Sequence, residues 1–459
     1  MSTLLRKITF AFLIAYFFGT TICFADPFYW GVASAAFQVE GSPADSDWKI
    51  WTHTPGKIED GTNADRATDF WNRYDEDFQL AGKTDGESPS LGANAFRISL
   101  AWERIEPEKG KFSEDALNHY LEMVKSMRQH GLEPFLTLHH FAFPLWVAKG
   151  GGPLADSFPN DFAEYAEKVV QFFAQHGSPV HFWMTFNEPN VLAYEGYIYG
   201  EWPPGEKGPT QEALKVQFNL AQAHLLAAHK MKIADPTSKV GIALHWRVFQ
   251  PKRKNFLDAR VATVLDFLFN RYFLNTIVKG SPCTSLIQMF CAKTKISTAG
   301  ALDFIGVNYY SRSLASFTVK APYYVVEEGT GPHKNDLGWE IYPEGLGIAL
   351  KDLSDYKKSI VITENGIADH ADRWRSSFLL DHIKVLKEAQ RSGIDVMGYF
   401  YWSLTDNFEW ARGLKANFGL VEIRYDTFKR IPRPSFYTYQ KIIKDSQAKS
   451  VSLERSFGN

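Results

Sequence analysis

The sequence predicts an α/β protein, a single (β/α)8 TIM barrel, and three observations point to it. Eight short apolar runs alternate with longer segments of helical periodicity. No internal stretch has the composition of a linker, so the alternation continues as one unit through most of the 459 residues. The main alternative, a doubly wound open sheet, is disfavoured because no Gly-rich phosphate loop follows the first run.

The strand candidates cover residues 29–35, 95–100, 134–139, 180–186, 240–244, 304–307, 360–363 and 396–401. Each is mostly apolar rather than alternating, as parallel strands covered on both faces are. Between them, periodicity predicts helices over residues 115–130, 161–176, 212–234 and 376–392, the last stopped by Gly393. Residues 82–89 read as a polar surface insertion, and residues 446–459 as a polar C-terminal tail that frays.

At the N-terminus, Arg6 and Lys7 precede an apolar run over residues 8–18, then Gly19, Thr20 and Thr21, then Cys23-Phe24-Ala25. This is the layout of a signal peptide over residues 1–25, cut after Ala25 to leave a catalytic domain of residues 26–445. The run is short for a membrane span, so the expectation is a secreted or periplasmic protein with no stable membrane insertion after cleavage. A retained anchor is the alternative, and bulky Ile22 argues against a lipoprotein cut at Cys23. Once the signal has gone, Cys283 and Cys291 remain, either as a small disulfide loop or as two free thiols.

Hydrophobic residues make up 45% and charged residues 22%, an ordinary globular balance. A formal net charge of −2 without a long Lys/Arg run excludes a nucleic acid partner from the expectation. The 15% aromatic content, with 13 Trp and 20 Tyr, fits either a large aromatic core or a cleft in which rings stack on apolar sugar faces. No Cys/His set has zinc or iron–sulfur spacing. His139 and His140 are adjacent on a strand, where neighbours face opposite sides, so neither metal nor cofactor is expected.

Barrel active sites lie at the C-terminal ends of the strands. The fourth run ends in Thr185-Phe186-Asn187-Glu188-Pro189 and the seventh in Ile362-Thr363-Glu364-Asn365-Gly366. Either Glu alone would read as a solvated or salt-bridged residue. Together they stand on opposite sides of the barrel mouth and can converge. Two converging carboxyls are what glycosidic cleavage needs, one protonated to assist the leaving oxygen and one ionised to attack.

Three segments in order resemble glycoside hydrolase family 1, the β-glucosidase family: residues 28–41 (FYWGVASAAFQVEG), 185–190 (TFNEPN) and 362–366 (ITENG). The resemblance runs from Phe28 to about Lys444. It implies a retaining exo-β-glycosidase acting on a small-molecule β-glycoside or short oligosaccharide, with Glu188 as acid/base and Glu364 as nucleophile. Glucosides come first, with galactosides and fucosides left open. It further implies that Gln38, His140, Asn187, Tyr310, Trp402, Glu409, Trp410 and Phe418 contact the sugar, that Asn187 meets its 2-hydroxyl, and that Arg97, Asn308 and Tyr310 orient the nucleophile. Trp339 is expected on the aglycone side. Two positions depart from the pattern. Phe141 replaces the usual Trp after His140, and Asn417 replaces the Arg that commonly precedes Phe418-Gly419-Leu420.

The rival readings are a 6-phospho-β-glycosidase, a non-catalytic sugar-binding barrel and a transglycosylase. Glu409 opposes the first, because a carboxylate there would repel a phosphate. The presence of both catalytic Glu residues opposes the second.

Overall fold

The computed structural model describes residues 28–83, 86, 89–283 and 292–457. The expected signal peptide, Cys291 and part of the 82–89 insertion lie outside the described residues. Cys283 is disulfide-bonded, so of the two states expected for it the bonded one holds.

Eight parallel strands close a barrel: β1 (Tyr29–Ala33), β2 (Ala95–Ser99), β3 (Glu133–His139), β4 (Phe182–Asn187), β5 (Lys239–His245), β6 (Phe304–Asn308), β7 (Ser359–Asn365) and β8 (Val396–Trp402). β1 pairs with both β2 and β8, which completes the ring and excludes the open sheet. All eight expected strands are present.

The pore is packed with side chains. Phe135 and Phe182 stack at 4.3 Å, Phe400 tilts onto Phe135 at 4.8 Å, and Tyr29 meets it edge-on at 5.2 Å. Rings of this size need small neighbours. A Cβ on Gly31 would lie 2.5 Å from the Phe400 ring, and one on Gly241 would lie 2.5 Å from Phe304. Glycine at these strand positions is therefore a packing requirement. Four Trp (Trp48, Trp102, Trp183 and Trp246) are wholly buried, so much of the aromatic content is core.

The four expected helices form over Glu114–Gln129, Phe158–Gln175, Thr210–Ala234 and Arg375–Arg391. Ser113 caps the first, its Oγ accepting from the Ala116 amide at 3.2 Å. The last ends as its glycine predicts. Gly393 takes φ 89°, and the Gly393 and Ile394 amides donate to the Gln390 and Ala389 carbonyls.

Two features differ from expectation. A three-stranded sheet of Val248–Pro251, Arg312–Phe317 and Tyr324–Glu328 lies outside the barrel, beside the helix Phe256–Asp266. Its strands are short and half exposed, so they carry no apolar run to mark them. The C-terminal helix also does not stop at residue 445 but spans Pro434–Phe457, with no Gly or Pro inside it to break it. Trp30 Nε1 donates to Ser446 Oγ at 3.2 Å and Gln447 Nε2 to the Gly92 carbonyl at 3.1 Å, so the expected tail begins as docked helix.

Both strands that lead to the paired Glu residues slip register near their C-terminal ends. β4 shifts against β5 between Met184 and Asn187, and β7 shifts against β6 between Ile362 and Glu364. Such irregularities re-aim the side chains that follow them.

Replacing Gly241 by Ala is expected to destabilise the barrel by about 1–3 kcal/mol, the usual cost of overpacking a dense core. Denaturant unfolding against the parent measures it, and an unchanged midpoint would show that the Phe304 ring moves aside freely.

Candidate active site

The β4 slip brings Asn187 to the end of its strand, and Glu188 follows in the left-handed conformation, φ 44° and ψ 58°. Pro189 then opens the helix Pro189–Tyr194. The residue before a proline is steered away from the right-handed helical region. Left-handed backbone at a non-glycine costs about 1–2 kcal/mol and persists where surrounding bonds enforce it. Here the Glu188 amide donates to the Ala243 carbonyl at 2.7 Å. The result aims the carboxyl into a cleft of about 300 Å³ at the barrel mouth.

Glu364 faces the same cleft, as do Gln38, His140, Asn187, Tyr310, Trp402, Glu409, Trp410, Phe418 and Trp339. Every expected sugar contact is therefore gathered in one place. Arg97 and Asn308 lie buried in the barrel mouth beside them.

Arg97 links three strands. Its Nη1 donates to Glu364 Oε1 at 2.5 Å, Nη2 to Asn187 Oδ1 at 2.7 Å, and Nε to Thr137 Oγ1 at 3.1 Å. The Tyr310 hydroxyl donates to Glu364 Oε2 at 2.6 Å, so each carboxylate oxygen has its own donor. Asn308 corrects the expectation. The resemblance places it with the residues that orient Glu364, but its Nδ2 donates to Glu188 Oε1 at 2.8 Å and Asn187 Oδ1 at 3.0 Å. The Thr363 hydroxyl donates to Asn308 Oδ1 at 2.7 Å and turns the amide toward the β4 side.

The adjacent histidines divide as the strand period requires. His139 packs at 4.2 Å on Phe143 in the core, where burial lowers its pKa to about 3. His140 lines the cleft, and Asn187 Nδ2 lies 3.0 Å from its Nε2. Burial holds His140 well below its ordinary pKa as well, so the ring is neutral.

Gln38 Nε2 donates to Asn407 Oδ1, the Phe408 carbonyl and Glu409 Oε2, at 3.0, 2.9 and 3.1 Å. Its buried Oε1 has no partner among the described residues, which leaves an acceptor for a hydroxyl. Burial, then the charges of Glu364 and Glu188, raise Glu409 to about 8. Burial also raises Glu364, to about 7; Arg97 opposes that rise and the like charge of Glu188 adds to it.

The two departures separate. Phe141 stands at the cleft wall, its ring edge-on to Trp410 at 5.0 Å. Asn417 does not line the cleft. Its Oδ1 meets His370 Nδ1 at 2.8 Å instead.

Sequence reasoning missed His245, which ends β5. Its Nδ1 lies 3.2 Å from Glu188 Oε1 and its ring stacks on Tyr310 at 5.9 Å. Its place at a strand end was the available signal. It also missed the outer cleft wall, where Phe249, Leu265, Phe269, Tyr324 and Val326 come from the appended sheet and its neighbouring helices.

The model of glycosyl hydrolase family 1 matches residues 20–448. The chain belongs to this family. Beta-glucosidase A of Thermotoga maritima is 34% identical over 450 residues, covering 92% of this chain and 98% of that protein. A 1,4-beta-D-glucan glucohydrolase of Thermotoga neapolitana is likewise 34% identical over 450 residues, with the same coverage. Among solved structures, a beta-glycosidase from Pyrococcus horikoshii is 36% identical with a TM-score of 0.82, covering 91% of this chain and 94% of that one. The Thermotoga maritima beta-glucosidase bound to glucoimidazole is 32% identical with a TM-score of 0.83, covering 92% and 98%. This family 1 member is a glycoside hydrolase of the retaining β-glycosidase kind.

The electrostatics make a directional prediction. Glu188→Gln removes the like charge that raises Glu364, so Glu364 should ionise at lower pH. With a dinitrophenyl glucoside, which needs no acid, the acidic limb of kcat/KM should move below about 7. A limb that stays in place would show that the two carboxyls do not share a field.

Proposed function

We propose that this family 1 enzyme is an exported exo-β-glucosidase in which Glu364 is the nucleophile and Glu188 the acid/base. The observation that carries the reading is the pair of donors on Glu364. Arg97 supplies a full positive charge at 2.5 Å and Tyr310 a hydroxyl at 2.6 Å, and both favour the carboxylate form. Burial holds the Tyr310 phenol well above its ordinary pKa, so it remains a donor.

In the first step a Glu364 oxygen attacks the anomeric carbon from the face opposite the leaving oxygen. Glu188 gives that oxygen a proton, and the aglycone departs as an alcohol. Water then adds to the same carbon while Glu188 takes its proton, and Glu364 leaves as the carboxylate. Two inversions give net retention. Asn187 has one amide N–H beyond the one directed at His140, available for the 2-hydroxyl as positive charge grows on the ring.

Glu409 and Gln38 form the polar end of the glycone site. Gln38 and Trp402 are the hydrogen-bonding partners of the Glu409 carboxyl, and neither is a cation. That chemistry suits hydroxyls rather than a phosphate, and the names of the Thermotoga relatives support glucosides.

Export is the reading of the N-terminal segment, and it accords with a disulfide at Cys283. N-terminal sequencing of protein recovered outside the cytoplasm should begin at Asp26. Recovery of a chain with residues 1–25 intact would overturn it.

The roles of the two Glu residues separate by azide rescue. Glu188→Ala should still form the glycosyl-enzyme from dinitrophenyl β-glucoside, and azide should release it as the β-azide. Glu364→Ala cannot form that ester, and azide entering the vacated space should give the α-azide. With poor leaving groups, Glu188→Ala should lose about 10²–10⁴-fold in rate. A β-azide from Glu364→Ala would refute the assignment.

A further inference from the structure

Phe256, Leu257, Val264, Val319, Tyr323 and Val325 are six of the twelve large apolar side chains exposed among the described residues, and all belong to one unit. That unit is the helix Phe256–Asp266 with the hairpin formed by Arg312–Phe317 and Tyr324–Glu328. Its parts are tied together rigidly. Buried Asp258 accepts from the Arg253 guanidinium at 2.7 Å and from the Phe317 amide at 3.0 Å, and Arg253 also reaches the Phe317 carbonyl at 2.9 Å.

The most exposed of these side chains lie at one end. Phe256 and Leu257 open the helix, 75% and 50% exposed. Val319 and Tyr323, 82% and 59% exposed, sit in the hairpin turn that the Thr318 amide closes onto the Tyr323 carbonyl. Phe256, Leu257 and Val319 border one shallow depression, so the two tips are neighbours. Single exposed apolar side chains are ordinary, but several gathered at one end of one unit mark a contact surface. Lys254, Arg260 and Lys320 stand exposed on the same segments.

The opposite face of the unit belongs to the catalytic cleft. Along Tyr324–Glu328 the strand period sends Tyr324 and Val326 into the cleft wall and leaves Val325 outside. Leu265 joins them from the helix. One element thus carries apolar surface from the projecting tip into the aglycone side of the site. Apolar anchors flanked by cations are the chemistry that seats a protein on an anionic lipid surface.

We propose that this helix–hairpin tip docks on an anionic bilayer, and that the cleft beside it takes membrane-borne β-glycosides with a long apolar aglycone. The substrate half rests on the glycosidase reading above; the docking half does not.

The test compares the full chain with a Phe256→Ser/Val319→Ser/Tyr323→Ser variant, none of whose positions lines the cleft. Phosphatidylcholine vesicles with and without phosphatidylglycerol are the surfaces. The parent should sediment with anionic vesicles at least about 10-fold more than with neutral ones, and added salt should weaken it. The variant should lose at least about 10-fold of that binding. Both proteins should hydrolyse a soluble aryl β-glucoside equally, which also reports that the variant folds. On a long-chain alkyl β-glucoside embedded in the anionic vesicles, kcat/KM of the variant should fall about 10-fold. Absence of parent binding, or equal binding by the variant, would overturn the docking. So would a parent dimer that the variant dissolves, because the tip would then cover a second copy. Equal hydrolysis of the embedded glycoside by both proteins would overturn the substrate half. Failure of the parent on the soluble glucoside would instead sink the glycosidase reading and leave the vesicle result to decide the docking alone.

Discussion

The Arg97 guanidinium is the interaction on which the rest of the site depends. It is 1% exposed, and a buried cation needs counter-charge and acceptors in fixed positions. Glu364 supplies the charge, Asn187 and Thr137 supply acceptors, and the Thr363 carbonyl adds a fourth at 3.3 Å. Because these groups come from β3, β4 and β7, one side chain sets the relative placement of the strands that carry both Glu residues. Asn308 extends the lattice from Asn187 to Glu188. Glu188 is thereby positioned through the same network that holds Glu364.

That lattice works against a large electrostatic cost. Glu188, Glu364 and Glu409 face one narrow cleft with largely aromatic walls, and burial raises both Glu364 and Glu409. The donors are unequally shared. Glu364 has a guanidinium and a phenol, whereas Glu409 has an amide and an indole. The stronger donors stand at Glu364, the carboxyl that the proposed mechanism needs ionised. At the other end of the cleft, the Gln38 carbonyl oxygen, which has no partner among the described residues, and the raised Glu409 carboxyl form a desolvated polar surface suited to hydroxyl groups.

The two departures from the family pattern differ in reach. Phe141 keeps an aromatic ring against Trp410 and Trp202 but brings no indole N–H to the cleft. Its backbone is left-handed, φ 70°, so the chain reverses there whichever ring is present. Asn417 is turned toward His370, and its carbonyl accepts from the Arg375 guanidinium at 2.9 Å. It supports the loop behind Phe418 without touching the sugar site.

What the sequence determined by itself is an α/β chain of eight parallel strands and the two Glu residues that close the fourth and seventh; closure into a barrel was decided by the pairing of β1 with β8. Eight apolar runs could be buried on both faces only as parallel strands, and the Glu residues that close the fourth and seventh had to lie at one mouth. Tertiary structure decided where each side chain points. The slips before Asn187 and Glu364 arise from pairing between strands remote in sequence, so no local pattern announces them. The same slips, with the Thr363 hydroxyl, send Asn308 to Glu188 rather than Glu364. His245 was visible as a strand end, but its contact with Glu188 exists only once β4 and β5 lie side by side. The outer wall was hidden for another reason. Strands such as Tyr324–Glu328 divide their side chains between cleft and solvent, and a pattern read along the chain cannot tell which face another element will cover.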